Sequence, residues 1–104
     1  MSDVFFTVPT PLGFTVRTTQ PYWTLIQRKH PEVIDKEVEV QNCLRQPELV
    51  RRSKQDQAIY LFYASQLPYY LVVVVKRLNG EGFIVTSYLS DKVKEGEPIW
   101  PTSV

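Results

Sequence analysis

Hydrophobic and polar positions follow three successive patterns along the chain. Val4 to Val8 and Phe14 to Thr18 are rich in β-branched and aromatic residues, and Pro9-Thr10-Pro11-Leu12-Gly13 between them has the composition of a hairpin loop. An N-terminal hairpin is predicted there. Thr19 or Gln20 then caps a helix whose first turn takes Pro21, where the missing N–H costs no intrahelical hydrogen bond. This helix runs to about Lys29, with Tyr22, Leu25, Ile26 and Lys29 on one face and Trp23 with Ile26 on the next. That pattern makes it a largely buried helix.

Pro31 restricts His30 to extended geometry, which ends the first helix and sets a corner before a second. Val33, Val40, Cys43 and Leu44 form the apolar stripe of this second helix, flanked by Ile34 and Val38, with Glu32 and Lys36 paired towards solvent. It is expected to end near Arg45, before Pro47. From there the period becomes two: Leu49 to Lys54, Ala58 to Ser65, Tyr69 to Leu78 and Gly82 to Ser90 read as four strands. Gln55-Asp56-Gln57, Gln66-Leu67-Pro68 and Asn79-Gly80-Glu81 are short enough for hairpins, so the strands should form an antiparallel meander. Tyr69 to Val75 is apolar on both faces and marks the central strand. The tail, from Glu95 to Val104, has Trp100 as its one large anchor. The expected fold is α+β: an N-terminal hairpin and two helices packed on one face of a four-stranded antiparallel meander. Function would then sit on the uncovered face.

Composition narrows the field. With 104 residues, 43% of them hydrophobic, the chain suits a single domain over residues 1–104 with one core. Twelve basic and eleven acidic residues leave a net charge of +1, so contact with nucleic acid would depend on a local patch. The lone Cys43 cannot form an internal disulfide and suits an inert buried thiol in a reducing cytoplasm. Neither a signal-peptide pattern at Met1-Ser2-Asp3 nor an apolar run longer than Leu71 to Val75 speaks for secretion or membrane insertion.

One histidine and one cysteine do not assemble a nitrogen–sulfur metal site, and no glycine-rich phosphate loop or Gly-x-Ser-x-Gly motif occurs. Neither a metal nor an organic cofactor is expected. What remains is acid–base chemistry by His30 helped by fixed cations. His30 follows a helix C-terminus, which favours the imidazolium and its use as a proton donor, or else simply caps the last carbonyls. Arg51, Arg52 and Lys54 are the densest basic cluster. Alternation sends Arg51 to one face and Arg52 with Lys54 to the other, where that pair would hold phosphates on the open face or protect an edge strand. Lys76 follows Val72 and Val74 on one face of the central strand, where burial would demand an anion or a wet strand end. Thr86 and Tyr88 alternate with Ile84, which places two hydroxyls on one face or reflects ordinary strand composition. Tyr60, Tyr63, Tyr69 and Tyr70 offer rings for base stacking, as strand residues often do.

Tyr22-Trp23 with Ile26, His30-Pro31-Glu32, Leu44 with Pro47 and Val50, Val72 to Lys76, Ile84 to Tyr88, and Lys94-x-Gly96 before Trp100 occur in the order of a known nuclease group. In these features the chain resembles the phage- and toxin-associated branch of the barnase, EndoU, colicin and RelE-like nuclease fold, over about three quarters of its length. The resemblance implies an antiparallel sheet backed by helices, and a small cytoplasmic endoribonuclease that uses 2′-hydroxyl attack without metal. It implies that His30 is the acid or base, that Arg52 and Lys76 stabilise phosphate charge, and that Thr86 and Tyr88 orient the phosphate, with Arg51 and Lys54 binding RNA. RNA or a cognate antitoxin-like protein would be the partner. Relatives often carry a histidine directly before the equivalent of Ile26, where this chain has Leu25. Two readings follow: a toxin-like endoribonuclease, or a non-catalytic interaction module on the same fold.

Overall fold

A computed structural model of the chain describes residues 4–101. Strands β1 (Val4–Pro9) and β2 (Thr15–Thr19) form the expected hairpin. Helix α1 (Gln20–Lys29) starts where the hydroxyl of Thr19 accepts the Tyr22 N–H at 3.3 Å, and it ends where the His30 N–H reaches the Ile26 carbonyl at 2.8 Å. The second helix is shorter than its apolar stripe suggests. Pro31–Val33 is only a 3-10 turn, Asp35 adopts a left-handed φ of 63°, and helix α2 begins afresh at Glu37 and runs to Arg45. Aspartate tolerates that backbone region better than most residues, and one such residue ends right-handed helical geometry. Val33 still reaches the core, but from the turn.

Two side chains tie the helices together. Buried Trp23 donates its indole N–H to Glu37 Oε1 at 3.2 Å, and Gln27 donates to the same oxygen at 3.4 Å. The carboxylate thus sits in the first turn of α2, the end that favours negative charge.

The sheet is larger than a four-stranded meander. Strands β3 (Leu49–Arg52), β4 (Ile59–Gln66), β5 (Tyr69–Leu78) and β6 (Glu81–Ser90) form the meander, but β7 (Glu97–Trp100) pairs antiparallel with β3 and the hairpin joins at the other side. Seven strands run in the order β1-β2-β6-β5-β4-β3-β7. The hairpin joins through a short parallel contact, Val16 opposite Gly82 and Arg17 opposite Phe83, so the sheet is mixed. A Cβ on Gly82 would lie 2.9 Å from Phe14, Val16 and Val75 side-chain carbons, so this junction requires a bare backbone. Strand β5 is the central one, with the expected bounds Tyr69–Leu78.

The α+β class therefore holds, and the buried residues of both helices pack against one face of the sheet. That face holds the main core, including Val8, Val16, Trp23, Leu44, Val50, Phe62, Val73 and Val75, all without solvent exposure. Burial of each such side chain stabilises the fold by roughly 1.5–3 kcal/mol for the larger aliphatic and aromatic groups. The opposite face is not bare. Leu61, Tyr63 and Val72 are buried there beneath Tyr70, Val74, Tyr88 and Val93. Val93 lies in the segment 91–96 that leaves β6 and returns at the far edge as β7, and Lys94 N–H donates to the Tyr63 hydroxyl at 3.0 Å. The segment forms a strap over part of the open face. Among the described residues, no helix is long and apolar enough to cross a membrane.

Candidate site on the open face

Cross-strand register builds the floor of the site. Arg51, Leu61, Val74 and Thr86 stand in one row across β3, β4, β5 and β6, and Leu49, Tyr63, Val72 and Tyr88 stand in the next. A register shift makes this possible: Thr86 opposes Val74 and Ile84 opposes Val75, so Val85 is an extra residue on β6. Ile84 consequently faces the helix-side core while Thr86 and Tyr88 face the other way. Simple alternation would have put all three on one face.

Above this floor lies a concavity of about 510 Å3. Ser53, Lys54 and Gln55 from the loop after β3 form one wall, Lys94 and Glu95 of the strap form another, and Thr86 and Tyr88 complete the lining. His30 stands beside it. Its ring centroid is 5.7 Å from that of Tyr88, its Nδ1 is 3.5 Å from Glu32 Oε2, and its side chain is about one-third exposed, at 32%. Pro31 fixes the corner that presents the imidazole there, since the residue before proline is held away from helical geometry. Burial raises the phenol pKa of Tyr88, so Tyr88 is a neutral hydroxyl donor at neutral pH. Tyr63 is shifted upward too, chiefly by burial.

The structure thus brings His30, Thr86, Tyr88 and Lys54 to one region and separates other expected residues from it. Arg52 faces the opposite way to the expected one. Its Nη2 donates to the Tyr60 hydroxyl at 2.6 Å, its guanidinium lies 5.1 Å from that ring's centroid, and Tyr60 belongs to the helix-side core. Arg51 is the member of the pair on the open face, opposite Leu61 and near enough to Tyr63 for its charge to act on that phenol. The alternation of the two arginines was legible, but which of them faces the site depends on register. Lys76 is on the open face, opposite Ile59, but its Nζ is 3.9 Å from Asp56 Oδ2 and it lines a separate concavity with Arg17 and Phe83. Leu25 is 43% exposed and so is not a core residue occupying the place of a lost histidine. Lys94 lies outside any periodic segment, and Ser53 reads as part of the expected strand Leu49 to Lys54, whereas β3 ends at Arg52 and leaves Ser53 in the loop, so neither stood out as a site residue. The Lys94-x-Gly96 spacing was the one available signal: a Cβ on Gly96 would approach the Arg52 carbonyl oxygen to 2.7 Å, so glycine lets the strap close onto β3.

Chemically, the region offers one imidazole, the hydroxyls of Ser53, Thr86 and Tyr88, and cations at Lys54 and Lys94, with Arg51 in the row beside Leu61 and Glu95 opposing them. Among the described residues no group of three or more His, Cys, Asp or Glu side chains is placed to hold a metal ion. No family model matches the chain, and no curated protein or solved structure does.

Proposed function

We propose that the open face binds RNA and that His30 takes part in cleaving it without a metal. The observation that carries this reading is the placement of the chain's single imidazole against Tyr88, at the rim of a concavity that also presents Thr86, Lys54 and Lys94. In such a cleavage the ribose 2′-oxygen loses its proton and attacks the adjacent phosphorus, the bond from phosphorus to the 5′-oxygen breaks, and that oxygen gains a proton. The products are a 2′,3′-cyclic phosphate and a 5′-hydroxyl. One imidazole serves one of the two proton transfers, and water serves the other. Glu32 near Nδ1 steadies the ring and leaves Nε2 for the transfer. The lysines and Arg51 offset phosphate charge, and the neutral Tyr88 hydroxyl with Thr86 donates hydrogen bonds to its oxygens. A toxin-like role in the cytoplasm, restrained by a cognate protein, is the setting that the nuclease resemblance suggests.

A second reading, an RNA-binding or protein-binding module without catalysis, is favoured by one observation. Arg52 is held by Tyr60 on the helix side and Lys76 lines a separate concavity, so two of the expected phosphate-stabilising groups lie away from Thr86 and Tyr88. Incubation of end-labelled single-stranded RNA with the full chain in excess chelator distinguishes the two. Fragments ending in a 2′,3′-cyclic phosphate are expected. Bound but intact RNA would leave the module reading in place.

A further inference from the structure

We infer that a second concavity, beside the open face where β2 and α1 part from β6, is a nucleobase pocket. The inference rests on the reading of the neighbouring concavity as an RNA phosphate site.

The pocket follows from the way the sheet is joined. Strands β2 and β6 pair only at Val16 with Gly82 and Arg17 with Phe83, after which β2 leads into α1. Beyond that contact the β2 and β6 edges part, and the Tyr22 hydroxyl bridges them by donating to the Val85 carbonyl at 2.8 Å. A concavity of about 450 Å3 remains, within the range of about 300–1,000 Å3 usual for small-molecule sites.

Its lining has the three features that a nucleotide needs. The walls are apolar and aromatic, with Phe83, Tyr22, Val85 and Leu78 offering faces for a planar ring. Thr18 lines the pocket at 5% exposure, and its Oγ1 has no hydrogen-bond partner among the described residues. A buried hydroxyl without a partner is costly, and the polar edge of a base would satisfy it. Finally, two cations stand in the lining. Arg17 lies 4.8 Å from the Phe83 ring centroid and 3.5 Å from Glu81, and Lys76 is 3.9 Å from Asp56. These are half-exposed ion pairs of the kind that contribute little, so a phosphate competes readily for either cation.

Position links the pocket to the phosphate site. Val85 lines one concavity and Thr86 the other, and Lys76 of the pocket stands directly opposite Ile59 of the neighbouring site. An RNA strand with one phosphate at Thr86 and Tyr88 would therefore place an adjoining base against Phe83 and Thr18. A fatty carboxylate would satisfy the walls and the cations but not a hydroxyl at depth.

The test is an amide NMR titration of the full chain with uridine 3′-monophosphate and adenosine 3′-monophosphate, with ribose 5-phosphate as the base-free control and decanoate as the apolar anion. Either nucleotide should move the Thr18, Phe83 and Val85 signals, and ribose 5-phosphate should not. Thr18→Val should weaken nucleotide binding by roughly threefold to tenfold, the worth of one hydrogen bond. Thr18→Ser should keep it. Nucleotide shifts confined to Thr86 and Tyr88, equal affinity for Thr18→Val, or saturation of the pocket by decanoate alone would overturn the inference. Absence of RNA cleavage with these pocket shifts intact would instead remove the catalytic reading and leave the pocket standing.

Discussion

Replacing Tyr63 by Phe removes a single oxygen from beneath the strap and asks whether that strap shapes the site. Tyr63 has no solvent exposure, and its hydroxyl accepts the Lys94 N–H at 3.0 Å. Phenylalanine keeps the ring and its edge-on contact with Tyr70, whose centroid lies 6.1 Å away at 89°. No cavity of side-chain size is made, so the loss of about 2–5 kcal/mol that accompanies core truncation does not apply. Lys94 is itself exposed, so water can reach its freed amide. The net loss is then that of one hydrogen bond, about 1 kcal/mol. For a domain of this length that lowers Tm by roughly 4–8 °C. The local effect should be larger than the global one: the Lys94 amide should exchange faster with solvent, and Lys94 with Glu95 should lose their fixed place in the concavity, weakening RNA binding. Thermal unfolding followed by circular dichroism, with hydrogen exchange read at the Lys94 amide, measures both. Unchanged Tm together with unchanged Lys94 protection would refute the idea that Tyr63 holds the strap, and a loss of more than about 3 kcal/mol would show a repacking that the structure does not anticipate.

Leu25→His should unfold within about 0.5 kcal/mol of the parent in urea, because the side chain is 43% exposed; a loss above about 1 kcal/mol would contradict that exposure. Gly82→Ala should cost roughly 1–3 kcal/mol in the same assay, since its Cβ would meet three core carbons at 2.9 Å; a neutral result would mean that the β2–β6 junction is looser than it looks. Alkaline stability should fall in a predictable window. Burial, aided by Glu48, pushes the Cys43 thiol from 9.0 up to about 12, and burial also raises Tyr63 and Tyr88 above 10.0. The folded state keeps these protons at pH values where the unfolded state releases them, so their contribution is complete below about pH 9 and is lost as pH rises towards 12. A urea midpoint that stays level or increases above pH 10 would contradict this sign.

Much of the fold was written in local patterns, and the parts that were not depend on partners far along the chain. Strand β5 was legible because residues apolar on both faces fit only the middle of a covered sheet. The start of α1 was legible because Thr19 and Pro21 act within one turn. Strand β7 was not, since four residues containing Pro98 become a strand only by pairing with β3. The parallel contact of β2 with β6 joins residues more than sixty positions apart, and no loop length announces it. The break before α2 turned on one left-handed Asp35 inside a stripe that otherwise reads as helix. At the candidate site, His30, Thr86 and Tyr88 were singled out by residue type, spacing and the nuclease resemblance, and they lie in one region of the structure. The exchange of Arg52 for Arg51 shows the limit, because alternation fixes relative faces while only register fixes which face is open.

The most direct test of the central claim is the rate of single-stranded RNA cleavage in excess chelator by the wild-type chain and by His30→Ala, with circular dichroism confirming that both are folded. His30 is one-third exposed and is not among the buried core residues, so the variant should fold, with the loss of its ring contact with Tyr88. A proton-transfer role for His30 requires cleavage by the wild type and a fall on the order of a hundredfold or more in the variant, the usual contribution of a general acid or base. Equal rates for the two proteins would contradict it, and so would intact RNA with the wild type.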